Sequence, residues 1–67
     1  MKTTIVYDMV AFFTDRTGKR KALYCRGVGP DETSVVEAVR AEIARDSAKP
    51  GTAVAVGVER RWEVGGV

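Results

Sequence analysis

The segment Thr3–Thr14 constrains the fold of this chain most, because it is apolar on both sides of an extended strand. It contains no Gly or Pro and is rich in β-branched and aromatic residues, which is typical of a strand. Only Asp8 interrupts the apolar pattern, and a strand that is apolar on both faces usually lies inside a sheet. The alternating apolar positions are Ile5, Tyr7, Met9, Ala11 and Phe13 on one face and Val6, Val10 and Phe12 on the other.

The next residues predict the return strand of a β-hairpin. Asp15 suits the first position of a type I turn, and Gly18 suits the following position with positive φ. Residues 19–27 (Lys19 to Gly27) then run antiparallel. If Gly18 forms a bulge after the turn, paired residue numbers sum to 34. A four-residue loop without a bulge would exchange the two faces, so the sequence leaves both registers open.

The bulged register separates the residues of the hairpin into two sets. Leu23 and Cys25 then share a face with Met9, Ala11 and Phe13, while Arg20, Ala22, Tyr24 and Arg26 share the other with Val10 and Phe12. Lys21 falls on the face or rim of the first set. Cys25 is expected to be a small core residue under the helix.

Residues 31–46 (Asp31 to Asp46) predict the single helix. An apolar stripe at helical spacing lies on one side, which indicates a helix packed on one sheet face. Two residues compete for the N-cap, Asp31 and Ser34, the second as a capping box with Glu37. Exposed i,i+3 pairs are expected for Glu37 with Arg40 and for Glu42 with Arg45. The stripe consists of Val35, Val36, Val39 and Ile43.

The last part of the chain predicts a third strand over residues 52–58 (Thr52 to Val58). Residues 59–64 either extend this strand or form a short fourth one, and the lack of a turn pair favours extension. Residues 65–67 are expected to fray. The predicted fold is α+β with the order β-β-α-β. It forms one domain over residues 1–67, with a three-stranded antiparallel sheet in the order 2-1-3 and one helix on one face. This order leaves both outer strands as open edges.

Composition excludes several functions. The 67 residues include one cysteine and no histidine, so an intrachain disulfide, a zinc site and the common nucleophile–base pairs are not available. Acids at the start of the helix disfavour phosphate binding after Gly27-x-Gly29. We therefore expect no enzyme activity, no catalytic residue, no metal and no cofactor. The apolar run near Met1 lacks the features of a signal peptide, and no stretch is long enough to span a bilayer. A cytoplasmic protein is expected.

The charge of the chain is unevenly distributed. The net charge is only +2, but residues 16–26 hold five bases and no acid, whereas the helical span is acidic. Arginines beside aromatic rings are typical of protein–protein hot spots and of single-strand nucleic-acid readers. Bases on an edge strand also limit aggregation. The predicted partner-binding residues are Arg16, Lys19, Arg20, Tyr24, Arg26, Phe12, Arg60, Arg61 and Trp62.

The whole chain resembles, in size and plan, the very small anti-CRISPR proteins of phages and mobile elements. The resemblance depends on about 67 residues, the basic hairpin with Arg16 and Lys19-Arg20-Lys21, one capped helix and a closing strand from Thr52. It implies a non-catalytic inhibitor that docks on a CRISPR effector in the host cytoplasm. Residues 24–38 also resemble the hairpin and helix of HicB-type antitoxins, including Gly29, Thr33 and Glu37-Ala38.

The function predicted from the sequence is a non-enzymatic binding protein. Its expected partner is a protein of a nucleic-acid-handling complex, such as a CRISPR effector, contacted through the basic hairpin. A small nucleic-acid-binding module and a HicB-like antitoxin are the alternatives. A homodimer through an edge strand is a further expectation.

Overall fold

A computed structural model describes residues 3–65 of the chain. The elements are β1 (Thr4–Thr14), β2 (Arg20–Gly29), α1 (Glu32–Asp46) and β3 (Ala55–Val64). The three strands form one antiparallel sheet in the order β2-β1-β3, and α1 packs on one face. The predicted β-β-α-β fold and strand order are therefore confirmed, with the doubly apolar strand at the centre.

The hairpin has the bulged register. Met9 pairs with Cys25, and every other pair of β1 and β2 also sums to 34. Gly18 has φ of 90°, and its N–H donates to the carbonyl of Asp15 at 3.0 Å. A residue with positive φ at this position is what allows the turn to close in this register.

Strand β2 is longer than predicted, because it continues through Gly27 to Gly29. Both glycines lie under the start of α1, where a side chain would collide with the helix. A Cβ at Gly27 would lie 2.6 Å from Cγ1 of Val35 and 3.0 Å from Cε of Met9, and one at Gly29 would lie 2.6 Å from Cγ2 of Val35. The glycines thus allow close packing of the helix on the strand.

Asp31 caps the helix, and Ser34 lies within its first turn. The Asp31 carboxylate accepts a hydrogen bond of 2.8 Å from the backbone N–H of Ser34. The alternative cap at Ser34 is therefore wrong, because Asp31 satisfies a backbone donor one turn earlier.

One of the two expected ion pairs along α1 forms. Arg40 donates to Glu37 at 2.6 Å, as predicted. Arg45 instead contacts the adjacent Asp46 at 3.1 Å, so its predicted pair with Glu42 is wrong. Glu42 and Asp46 are both close to Arg45 in the sequence, and Arg45 pairs with Asp46 at the end of the helix.

Strand β3 begins at Ala55 and runs without a break to Val64. The predicted start at Thr52 is wrong, because Thr52 belongs to a turn in which its N–H donates to the carbonyl of Lys49. Extension over residues 59–64 is confirmed, and residues 3–65 contain no fourth strand. Of the predicted tail, Gly65 follows the strand, whereas residues 66–67 lie outside the described residues.

The core lies between α1 and the sheet in two clusters. The first contains Tyr7, Met9 and Val35, and half-buried Cys25 packs against it as expected. The second lies at the other end of the helix and consists of Ala11, Phe13, Ile43 and Ala48. Within the described part of the chain, no helix has the length and apolar character needed to cross a membrane.

Candidate interaction surface

The sheet face opposite α1 has no layer over it within residues 3–65, and we call it the open face. Alternation along the strands decides which side chains lie there, because successive residues point to opposite sides. The open face comprises Val6, Asp8, Val10 and Phe12 of β1, Arg20, Ala22, Tyr24, Arg26 and Val28 of β2, and Ala55, Gly57, Arg60, Trp62 and Val64 of β3.

Trp62 forms the centre of a cationic cluster on this face. The guanidinium carbon of Arg26 lies 4.9 Å from the ring centroid, and that of Arg60 lies 4.6 Å from it. Both distances are within the range of cation–π attraction, which contributes about 0.5–1 kcal/mol at an exposed site. Trp62 itself is half-buried. The cluster joins β2 to β3 across the central strand.

Asp8 holds this cluster together from the central strand. It pairs across the sheet with Arg26 on one side and Arg60 on the other. Its carboxylate accepts a hydrogen bond of 2.8 Å from Nε of Arg26. This bond holds the pKa of Asp8 below its usual value, and the charges of Arg26 and Arg60 act in the same direction. Asp8 is a site residue that sequence reasoning missed, although the sum of 34 already pairs it with Arg26.

A β-bulge decides which residues of β3 reach the open face. Pairing with β1 shifts by one residue between Asp8 and Met9, so that Glu59 is the additional residue. Without this shift, Arg61 would lie opposite Val6, and Arg60 and Trp62 would face the helix. No Gly or turn pair in the sequence marks the bulge, so this placement could not be predicted.

The bulge also borders an open depression of about 460 Å³ beside the cationic cluster. Its rim carries both charge signs, with Asp8 and Glu59 near Arg26, and Tyr24 forms an aromatic wall. The depression can therefore accept a polar group of a partner next to an exposed ring.

Aromatic and aliphatic side chains make up the rest of the open face. Tyr24 is 73% exposed and Phe12 is 49% exposed, and Val28 and Val64 are exposed as well. Val6 and Val10 are buried although no layer covers them, so neighbouring side chains on the face shield them. Exposed aromatic rings over a shielded apolar floor are typical of an interaction surface.

The basic residues of the hairpin turn contact the protein itself. Arg16 donates to the backbone carbonyl of Arg45 at the helix C-terminus, at 2.9 Å. Lys21 forms an ion pair of 3.3 Å with Asp15. Arg16 therefore does not project freely from the turn. Among residues 3–65, Lys19 and Arg20 are the bases of this hairpin with no side-chain hydrogen bond or ion pair.

Asp15 organises the turn through its carboxylate. Oδ1 accepts hydrogen bonds from the hydroxyl of Thr17 at 2.6 Å, from its backbone N–H at 2.9 Å and from that of Lys19 at 3.0 Å. The Thr17 hydroxyl contributes most to the low pKa of Asp15, and the bond from Lys19 follows. The turn is therefore held by its own side chains.

The structure brings most predicted site residues onto one face but not into one cluster. Arg26, Arg60 and Trp62 meet in one cluster. Val6 pairs with Trp62, and Phe12 lies six residues beyond Val6 on β1, which is about 20 Å along the strand. Tyr24 and Arg20 follow along β2 towards the same end. Arg61 pairs with Tyr7 and lies on the other side of the sheet, with the helix. Arg16 and Lys19 belong to the turn.

Comparisons with known proteins do not extend this description. No protein-family model, curated protein or solved structure matches the chain. Within residues 3–65, no three His, Cys, Asp or Glu side chains lie close enough together to hold a metal ion.

Proposed function

We propose that this protein is a binding protein without catalytic activity, which docks on a partner protein through the open face. The observation that carries the proposal is the combination of an uncovered sheet face with Trp62 held between Arg26 and Arg60 and a largely exposed Tyr24. Tyr, Trp and Arg dominate the binding energy of protein interfaces. A protein surface with acidic groups is the partner that fits the free arginine side chains best.

Arg60 and Arg20 supply the charge that is available to such a partner. Neither forms an ion pair within the described chain, whereas Arg26 is already paired with Asp8. Tyr24 lies on the same strand and face as Arg20 and Arg26. An acidic group of the partner would pair with Arg60 near the depression while an apolar group covers Tyr24.

The proposed class of partner is supported by the size and plan of the chain. Its resemblance to anti-CRISPR proteins supports an inhibitor of a nucleic-acid-handling complex, and we propose a CRISPR effector as the target. Inhibition would be stoichiometric, since occupying a surface of the effector needs one bound inhibitor for each blocked site.

Inhibition of purified CRISPR effectors tests this proposal. The protein is titrated against cleavage of target DNA, and binding to the effector is measured in parallel by interferometry. Tyr24→Ala and Arg60→Glu each remove one contact of the open face, and we expect them to weaken binding by roughly tenfold or more. Arg40→Glu makes the same charge change on α1, which packs on the opposite side of the sheet, so it serves as the control. Equal inhibition by all four proteins would refute the open face as the contact.

Direct binding of single-stranded nucleic acid is the second candidate, favoured by arginines beside the exposed rings of Tyr24 and Phe12. Phosphate contacts release counterions, so affinity would fall steeply with salt. Electrophoretic shift with single- and double-stranded oligonucleotides at two salt concentrations distinguishes the candidates. A salt-sensitive shift that is lost in Tyr24→Ala would replace the protein partner by nucleic acid.

A further inference from the structure

The outer edge of β3 carries a charge pattern that is complementary to itself. Arg61 and Glu63 lie two residues apart on the helix side of the sheet, opposite Tyr7 and Ile5 of β1. Both are exposed, and neither forms an ion pair within residues 3–65. Trp62 lies between them and points to the open face. Because β3 is the last strand of the sheet, its outer backbone groups face no other strand.

We propose that two copies of the chain pair antiparallel along residues 59–65 of β3, with a twofold axis at Trp62. In this register Arg61 of each copy lies opposite Glu63 of the other, so one interface contains two identical ion pairs. Cross-strand pairs of opposite charge stabilise a sheet, and like charges directly opposite destabilise it. The inference concerns the β3 edge and does not depend on the proposed function.

Neighbouring registers are disfavoured by the same charges. If both helices lie on the same side of the joined sheet, residues that are opposite each other in the two copies share a face. The twofold axis then passes between the two copies of one residue, which lie opposite each other. An axis at Arg61 would place the two copies of Arg61 opposite each other. An axis at Glu63 would do the same with two carboxylates. The axis at Trp62 avoids both conflicts.

The other edge of the sheet does not offer this complementarity. Strand β2 contains Arg20, Lys21 and Arg26 and no acid, so no antiparallel register of two copies could form an ion pair between the two strands. The charges thus direct self-association to β3. The resulting six-stranded sheet would bring the two Trp62 clusters side by side on a continuous open face.

Charge-reversal variants test the register directly. Arg61→Glu places a carboxylate opposite a carboxylate in both cross-strand pairs, and Glu63→Arg places a cation opposite a cation in both. Each substitution acts twice by symmetry, so we expect the dimer dissociation constant to rise by about tenfold or more in each variant. Sedimentation equilibrium over a range of concentrations measures it. The emission of Trp62, which is the sole tryptophan, reports the interface independently through a concentration-dependent shift.

A mixture of the two variants supplies the decisive control. Arg61→Glu and Glu63→Arg chains are complementary in this register, so an equimolar mixture should form heterodimers although each variant alone is monomeric. The double variant R61E/E63R should form homodimers again. Recovery in both cases would also show that the variants are folded. A wild-type chain that stays monomeric at about 1 mM, or variants that dimerise as well as wild type, would overturn the proposal.

Discussion

Two glycines in the two outer strands of the sheet differ in what an added methyl group would meet. A Cβ at Gly27 would collide with buried Val35, whereas a Cβ at Gly57 would have nothing within 4 Å. We expect Gly27→Ala to lower the free energy of unfolding by about 1–3 kcal/mol through overpacking. Gly57→Ala should leave the free energy of unfolding unchanged or raise it by up to about 1 kcal/mol, because alanine has less backbone entropy to lose on folding than glycine. Urea unfolding measures both, and equal effects would contradict the close packing of α1 on β2.

Cys25 is expected to react slowly while the protein is folded. Burial raises the pKa of its thiol, and the charge of Glu42 raises it further. Since the thiolate is the reacting form, alkylation at pH 8 should be several-fold slower in the native protein than in denaturant. Glu42→Gln should accelerate the native reaction and leave the rate in denaturant unchanged. A native thiol as reactive as the denatured one would show that Cys25 does not pack under the helix.

At the scale of elements, the N-terminus of α1 allows a direct comparison of the two possible caps. The Asp31 carboxylate accepts the hydrogen bond from Ser34 N–H, so Asp31→Ala leaves that donor without its partner. We expect this change to lower Tm by roughly 4–8 °C. Ser34→Ala retains the backbone donor and should have a smaller effect. Thermal unfolding followed by circular dichroism measures both, and a larger effect of Ser34→Ala would restore Ser34 as the cap.

The elements that sequence reasoning predicted correctly are those fixed by local chemistry. The apolar character of β1 places it at the centre, and Asp15 with Gly18 predicts the turn. Of the two registers that the sequence leaves open, β2 adopts the bulged one. The start of β3 could not be obtained in this way, because Thr52 has the β-branched side chain of a strand residue but is bonded in a turn. Tertiary context therefore overrides its propensity.

The candidate site was predictable only in part for the same reason. The bulged hairpin register places Arg20, Tyr24 and Arg26 on the open face. The placement of Arg60 and Trp62 there depends on a bulge in β3 that no residue type in the sequence indicates. The contact of Arg16 with the Arg45 carbonyl joins residues 29 positions apart in the chain. Such a contact arises only when the helix end and the turn meet in the folded molecule.

The whole molecule is long and thin, with extents of 46 × 17 × 14 Å. One helix covers one side of the sheet, so the other side presents its strands over their full length. Two hairpin bases, Arg26 and Lys21, form ion pairs with Asp8 and Asp15, and Arg16 donates to a backbone carbonyl at the helix end. The positive field of the hairpin is therefore weaker than a count of bases in residues 16–26 suggests. The aromatic groups on the open face then contribute more to partner binding relative to charge.

The stability of the whole chain should depend on pH through its aspartates. Hydrogen bonds to Asp8 from Arg26, to Asp15 from Thr17 and to Asp31 from Ser34 each lower the pKa in the folded state. The unfolded chain therefore binds more protons below about pH 4, so these contributions are complete above that pH and are lost as pH falls through the folded pKa values. No histidine is present to titrate near neutrality.

We therefore expect the free energy of unfolding to change little between about pH 5.5 and 7 and to fall below about pH 4. Urea unfolding across this range measures the profile. Asp15→Asn is the matched variant, because its amide oxygen can still accept the bonds from Thr17 and Lys19 but does not titrate. Its profile should be flatter below pH 4 than that of the wild type. An identical slope in both proteins would show that Asp15 is not a source of the acid sensitivity, whereas a wild-type chain equally stable at pH 3 and 7 would contradict the ion-pair arrangement of the hairpin.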